Sequence, residues 1–229
     1  MPFMLGRPLS SYSKVQRVAG WAIRNRGFQL RSEAVRSKQY LDIGCGHKTH
    51  AHVINLDWQW HPEIDLCWDV AKLGLPFSDN SLQGIYSEHC LEHHRPDTSL
   101  FLLSECLRTL KPGGRIRLVL PDAEKYLRIY CEAREKKDKA HQPFPYPADA
   151  IWKDIASPLL AVNRIFYQDR ESPYGHCFMF DRHLLKAFLS KVGFVTIRSC
   201  GYRSGKDPNL FLDSEERWAE SFAMEAQRP

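Results

Sequence analysis

Apolar residues fall in two rhythms along this chain. Tyr40-Leu41-Asp42-Ile43, Val53-Ile54-Asn55-Leu56-Asp57, Ile64-Asp65-Leu66-Cys67-Trp68-Asp69, Gly84-Ile85-Tyr86-Ser87, Arg115-Ile116-Arg117-Leu118-Val119-Leu120, Phe194-Val195-Thr196-Ile197-Arg198 and Ser221 to Ala226 are short runs that suit strands. Between them, Leu100, Leu103, Cys106, Leu107 and Leu110 recur at helical spacing, as do Leu184, Leu185, Phe188 and Leu189. Lys111-Pro112-Gly113-Gly114 stops the first of these helices and Gly193 the second. Strand, turn, helix, strand in repetition predicts a doubly wound α/β sheet that is mostly parallel.

Other segments depart from the rhythm. Leu75-Pro76-Phe77-Ser78-Asp79-Asn80-Ser81 has the chemistry of a loop. Only His47-Lys48-Thr49-His50-Ala51-His52 separates Gly46 from Val53, so the crossover helix after the first strand must shrink to a turn. A charged run (Glu135 to Lys139) and a proline ladder (Pro143 to Pro147) make residues 132–175 an insertion, within which 151–167 reads as helical apart from Pro158. Near the N-terminus Val15, Val18, Ala19, Ala22 and Ile23 outline an amphipathic helix over 12–26. The expected organisation is a basic extension, 1–37, followed by the main domain, 38–229. The extension either packs over the domain or docks on an anionic membrane surface or a protein.

Charge sharpens that division. Residues 1–38 hold eight Lys and Arg against Glu33, a balance of 8 − 1 = +7, while the whole chain carries +5, leaving 5 − 7 = −2 for the rest. A mildly acidic body is unlike a nucleic-acid-binding domain, so no nucleic-acid partner is expected. The seven cysteines form no CxxC pair and read as reduced thiols. Without a membrane-length apolar run or a signal peptide, the expectation is a cytoplasmic protein that is not integral to a membrane.

The chemistry concentrates at the strand ends. In an open parallel sheet the ligand sits beyond the carboxyl ends of the strands. Here those ends carry Asp42 with Gly44 and Gly46, then Asp57, Asp69, Ser87 to His89, and Asp122. Glycines let backbone approach a ligand. A carboxylate closing the second strand offers two acceptor oxygens to a ribose diol. Each acid alone is equally consistent with a loop cap; four in succession at one end of the sheet argue for a nucleotide-type cofactor.

Leu41-Asp42-Ile43-Gly44-Cys45-Gly46, Asp57, Leu75 to Leu82, Ser87-Glu88-His89-Cys90-Leu91-Glu92-His93 and Leu107-Arg108-Thr109-Leu110-Lys111-Pro112-Gly113-Gly114 together resemble the class I S-adenosylmethionine-dependent methyltransferases, in particular their small-molecule branch. The resemblance runs over about 39–122 and resumes weakly at 176–198 and 221–226. It implies a Rossmann-like seven-stranded sheet with an antiparallel last strand and S-adenosyl-L-methionine as cofactor. Asp42, Gly44 and Gly46 would line its methionine part, Asp57 the ribose, Trp58 one adenine face, Asp69 and Val70 the adenine edge, and Ser87 with Glu88 the sulfonium. The chain departs from the family where His47-Lys48 replaces the third glycine and where Gln83 stands before the fourth strand.

Methyl transfer needs an aligned nucleophile and, where it carries a proton, a base. His89, His93 and Asp122 are the candidate catalytic residues, with His176, Tyr126, Tyr130, Trp152 and Tyr174 as further pocket walls. His89-Cys90-Leu91-Glu92-His93 also matches an inverted zinc-peptidase string, and some quinone-biosynthesis methyltransferases hold a divalent metal on a similar segment. Because the string lies inside the methyltransferase pattern it does not indicate a peptidase; His89, Glu92 and His93 could hold a metal in the same way, and no metal is assigned. The acceptor is expected to be a small or carrier-bound molecule, such as a glycan or aromatic acid. Two other readings compete: a nicotinamide-dependent oxidoreductase, which lacks its G-x-G-x-x-G here, and a non-catalytic relative that binds a partner through residues 1–37.

Overall fold

The computed structural model describes residues 13–135, 158–166 and 175–229. The charged run after Glu135, the proline ladder, Trp152 and Tyr174 lie outside the described residues. Seven strands, β1 (Tyr40–Ile43), β2 (Ile54–Asp57), β3 (Leu66–Cys67), β4 (Leu82–Glu88), β5 (Leu110–Pro121), β6 (Val195–Cys200) and β7 (Ser221–Gln227), form one sheet in the order β3-β2-β1-β4-β5-β7-β6. β1 to β5 pair in parallel, and β7 runs antiparallel to both β5 and β6. This is the expected Rossmann-like sheet. Its strand order reverses between β1 and β4, which opens a crevice at their carboxyl ends.

The helices are α1 (Lys14–Ile23), α2 (Glu33–Arg36), α3 (Val70–Leu73), α4 (Pro96–Thr109), α5 (Ala123–Glu135), α6 (Pro158–Phe166), α7 (Arg182–Val192) and α8 (Glu215–Trp218). α7 starts where the Asp181 carboxylate accepts from the Leu184 N–H, and it stops at Gly193 with φ 112°. Two differences from the sequence pattern have local causes. β3 is only two residues long because Asp69 leaves the sheet to cap α3, accepting from the Lys72 N–H. α5 escaped the pattern because only Ala123, Tyr126 and Ile129 turn inward, while Leu127 is exposed among charged neighbours.

One sheet face carries Leu41, Ile43, Ile54, Leu56, Ile85 and Ile116 against Leu102, Leu103 and Cys106 of α4 and Leu185 and Leu189 of α7. On the opposite face the described residues form no equivalent helical layer. There Tyr86, Val119 and Ala223 meet Leu210 and Leu212 of the β6–β7 connection. A polar row crosses that face in register: Asn55, Asp42, Tyr86, Arg117, Glu225 and Arg198 stand side by side on six adjacent strands. Arg117 is fully buried. It binds Asp213 through two nitrogens, one at 2.7 Å, reaches Glu225 at 3.3 Å and donates to the carbonyls of Ser204 and Gly201. Arg198 pairs with the other Glu225 oxygen at 2.6 Å. These bonds anchor the coil that replaces the helices.

The N-terminal segment docks on the β2 and β3 ends. Gly20 of α1 is buried against Gln59 and Trp60. The Asn25 side chain accepts from the Asp69 N–H at 2.8 Å, and that of Gln29 accepts from the Cys67 N–H at 2.7 Å. The apolar stripe read from the sequence mostly faces the other way, with Val15 75% and Val18 66% exposed and Ala22 exposed too; Trp21, outside that stripe, is 79% exposed. α1 thus meets the body along a small and polar strip, because what it covers is strand-end backbone that needs hydrogen bonds. Deleting residues 1–37 is therefore expected to lower the melting temperature by roughly 5 °C or more, since two buried N–H groups lose their acceptors; an unchanged melting curve would count against this docking.

Candidate active site

The turn after β1 is built from loop backbone, with no helix between β1 and β2. The N–H groups of Gly44 and Cys45 both donate to the Leu56 carbonyl, at 2.8 and 3.1 Å. Asp57 ties the two strand ends together: one oxygen accepts from the Gly46 N–H at 2.9 Å and the other from the Gln59 N–H at 2.7 Å. Burial raises the Asp57 pKa, and these N–H groups with His61 and His47 pull it back. Each oxygen keeps a further lone pair.

The two glycines do different work. Gly44 has φ 75°, and a Cβ there would lie 2.8 Å from the Cys90 Sγ. Gly46 has φ 57°, and a Cβ would meet no atom within 4 Å. Gly44 is required by the protein's own packing, whereas Gly46 borders open space. Gly44→Ala is expected to cost about 2–4 kcal/mol from left-handed strain and overpacking together; a urea titration reading under about 1 kcal/mol would refute this.

Asp42 is buried at the end of β1 and receives no hydrogen bond from the described residues. Burial first, then the charges of Glu88 and Asp57, hold its pKa well above the ordinary carboxylate value. Glu88 closes β4 and accepts from both the N–H and the hydroxyl of Ser214, the former at 2.9 Å. Ser87 donates to the Ile43 carbonyl at 2.8 Å. Asp42, Asp57, Ser87 and Glu88 thus converge on the crevice at the switch point.

Trp58 follows directly, but Arg24 of the N-terminal segment lies 3.5 Å over its ring and donates to its carbonyl at 2.7 Å. One Trp58 face is therefore covered. Asp69 caps α3 with one oxygen, and Val70 is buried beside it.

The catalytic candidates separate into two environments. His89, at φ 49°, places its Nε2 2.7 Å from the Ser221 hydroxyl and its Nδ1 3.7 Å from Glu92. His93 packs edge-on to His176, their ring centroids 5.0 Å apart. Burial lowers the pKa of all three histidines, most strongly for His89 and His93, the latter to about 3. Asp122 instead lines an open cleft with Lys125, Arg128, Arg182, Trp218 and Ser221, and its carboxylate pairs with Arg182 at 2.8 Å. Tyr126 is buried and donates to Glu220 at 3.0 Å. Tyr130 is half-buried on α5.

Sequence reasoning missed Arg24, Asn25, Gln29 and Ser214 as parts of this site. None carries a local signal, since each reaches it from a distant segment. His61, whose Nε2 sits 2.6 Å from the Gly46 carbonyl, is another.

Residues 41–118 match the methyltransferase domain family. No curated protein sequence matches. Among solved structures, PigF with bound SAH is 16% identical over 84% of this chain and 50% of its own, with a TM-score of 0.46, so the chain spans half of that protein. A Thermotoga maritima SAM-dependent methyltransferase, described as a possible histamine N-methyltransferase, is 15% identical over 88% of each chain, with a TM-score of 0.47. The 1,6-didemethyltoxoflavin-N1-methyltransferase of Burkholderia thailandensis is 14% identical over 97% of this chain and 82% of its own, with a TM-score of 0.46. The matched segment, 41–118, carries the glycine turn and the β1, β2 and β4 strand ends, and there the chain is similar to the methyltransferase domain family.

Proposed function

We propose that the protein transfers a methyl group from S-adenosylmethionine to a small or carrier-bound acceptor, such as a glycan or aromatic acid, entering by the Asp122 cleft. The observation that carries this reading is the buried Asp42 carboxylate, which has no hydrogen bond from the described residues and is crowded by Glu88 and Asp57. Such a cluster favours a cationic ligand. S-adenosylmethionine carries both a sulfonium and an ammonium, and the open space at Gly46 leaves room beside the carboxylates. The residues fit the cofactor.

Asp42, with the Gly44 and Gly46 backbone, would hold its methionine end, and Asp57 would accept from the ribose hydroxyls while keeping its own two loop bonds. Asp69 and Val70 would border the adenine, and Trp58 would lie beside it, with Arg24 over one of its faces. Ser87 and Glu88 would border the sulfonium. Once bound, the cofactor supplies an activated methyl carbon and a thioether leaving group. The chain's own task is alignment and proton removal.

Of the three catalytic candidates, Asp122 is the one supported as the proton acceptor, because it lines the open cleft. His89 acts from behind, fixing Ser221 at the cleft wall. His93 faces His176 and away from that role. Lys125, Arg128 and Arg182 in the same cleft suit an acceptor bearing an anionic or hydroxyl-rich group.

Titration calorimetry tests the reading directly. One equivalent of S-adenosylmethionine or S-adenosylhomocysteine should bind, with no binding of NAD or NADP. Failure of both sulfur ligands to bind would end the proposal, and nicotinamide binding in their place would favour an oxidoreductase.

A further inference from the structure

We infer that Glu92, His93 and His176 form a binding site for one divalent transition-metal ion, with the ligand set of zinc(II). The proposal does not depend on methyl transfer. Glu92 and His93 lie in a single 3-10 turn, Leu91–His93, just past β4. His176 comes from the far side of the insertion and is brought alongside by two backbone bonds, from the Cys177 and Phe178 N–H groups to the Glu92 carbonyl at 2.8 and 3.1 Å. One ligand atom from each of the three residues lies within 4.8 Å of the others.

The spacing is that of ligands around an ion. Glu92 Oε1 is 3.9 Å from His93 Nε2, 3.9 Å from His176 Nε2 and 3.7 Å from His89 Nδ1. These separations are too long for hydrogen bonds. They are close to the roughly 3.3–4 Å between ligand atoms that share a zinc ion with bonds of about 2.0–2.2 Å. Among the described residues both Glu92 oxygens and His93 Nδ1 are buried with no partner at hydrogen-bond geometry, on a glutamate with no exposed surface. A fold rarely leaves a buried carboxylate so unpartnered.

The histidine tautomers point the same way. His176 Nδ1 sits 2.8 Å from the Ile165 carbonyl, which can only accept, so Nδ1 carries the proton and Nε2 presents a lone pair toward Glu92. The Ser221 hydroxyl donates its one proton to the Arg217 carbonyl, so His89 Nε2 must donate to Ser221, leaving a lone pair on Nδ1, which also faces Glu92. Lone pairs of two imidazoles therefore confront a carboxylate oxygen. A proton on Glu92 does not resolve this, because no acceptor is within hydrogen-bonding reach and the second oxygen stays orphaned. A cation gives the Glu92 carboxylate and the imidazole lone pairs that face it a common partner. The charge of Arg217 reaches Glu92, but the two form no ion pair.

Two imidazoles and a carboxylate select a borderline metal over magnesium or calcium, and three protein ligands leave a position open. His176 Nδ1 on a backbone carbonyl supplies the orienting contact that metal-bound histidines use. Spacing along the chain suggested His89, Glu92 and His93; in the fold His176 joins Glu92 and His93, while His89 faces the same Glu92 oxygen but is not within 4.8 Å of all the other ligand atoms. The ion fastens the chain returning from the insertion to the end of β4.

The test is calorimetry on the full-length protein, stripped with chelator and titrated with zinc(II). One equivalent should bind, and Glu92→Gln and His176→Ala should each weaken binding by about 100-fold or more, with circular dichroism confirming that the variants fold. Cobalt(II) on the wild-type protein should give visible ligand-field absorption of mixed nitrogen and oxygen coordination, a readout that needs no variant. No stoichiometric binding, wild-type affinity in both variants, loss of binding in His52→Ala instead, or a hexa-aqua-like cobalt spectrum would each overturn the proposal.

Discussion

Replacing Arg117 with methionine should destabilise the protein by about 3–5 kcal/mol, because removing one partner of a buried ion network strands the others. The guanidinium has no exposed surface, and Asp213, equally buried, takes its two-pronged bond. Glu225 would keep Arg198 at 2.6 Å, but Asp213 would keep only the Arg203 N–H at 2.8 Å and the Arg203 guanidinium on its carbonyl. For a chain of this size, such a loss lowers the melting temperature by roughly 6–20 °C. The companion measurement is Arg117→Met with Asp213→Asn, which removes the stranded charge and should recover part of the loss. A single-variant loss under about 1 kcal/mol in urea denaturation, or a double variant no better than the single, would show that the network is not what holds the β6–β7 connection to the sheet.

Asp57→Ala should weaken binding of S-adenosylhomocysteine by about 100-fold or more. Two charge-assisted hydrogen bonds to a diol contribute roughly 1.5–3 kcal/mol each, and the loop that presents Gly46 also loses its tether at 2.9 Å. Asp57→Asn separates these effects. It keeps the shape but sets an amide N–H₂ against either the Gly46 or the Gln59 N–H. Affinity should fall in both variants, while Asp69→Asn, which alters only the α3 cap and the adenine edge, should change it by less than about tenfold. Calorimetry of the three variants decides the matter. Wild-type affinity in Asp57→Ala would remove Asp57 from the cofactor site.

The two largest effects fall on residues of different legibility. Asp57 stood out because it ends an apolar run at the carboxyl end of a parallel strand, the position where topology places a ligand. Arg117 alternates with hydrophobes in β5 as if it faced solvent, and nothing nearby in the chain announces Asp213, Glu225 or the Gly201 carbonyl. A buried arginine with distant partners has the same local pattern as an exposed one. The same limit applies to α1, where the sequence marks an apolar stripe but not which side meets the body.

The sequence alone determined the strands, their polar ends, the glycine turn and the short crossover after β1, and with them the likeness to the methyltransferase domain family over 41–118. Those features are local: strand periodicity, left-handed glycines and acids at run ends depend on neighbours along the chain. Only the tertiary structure decided that Arg24 covers one face of Trp58, that Asp42 receives no hydrogen bond from the described residues, that the β6–β7 connection packs on the second sheet face, and that His176 joins Glu92 and His93. Each of these joins residues far apart in the chain, where the cost of burying polar groups is met by partners that become neighbours only on folding.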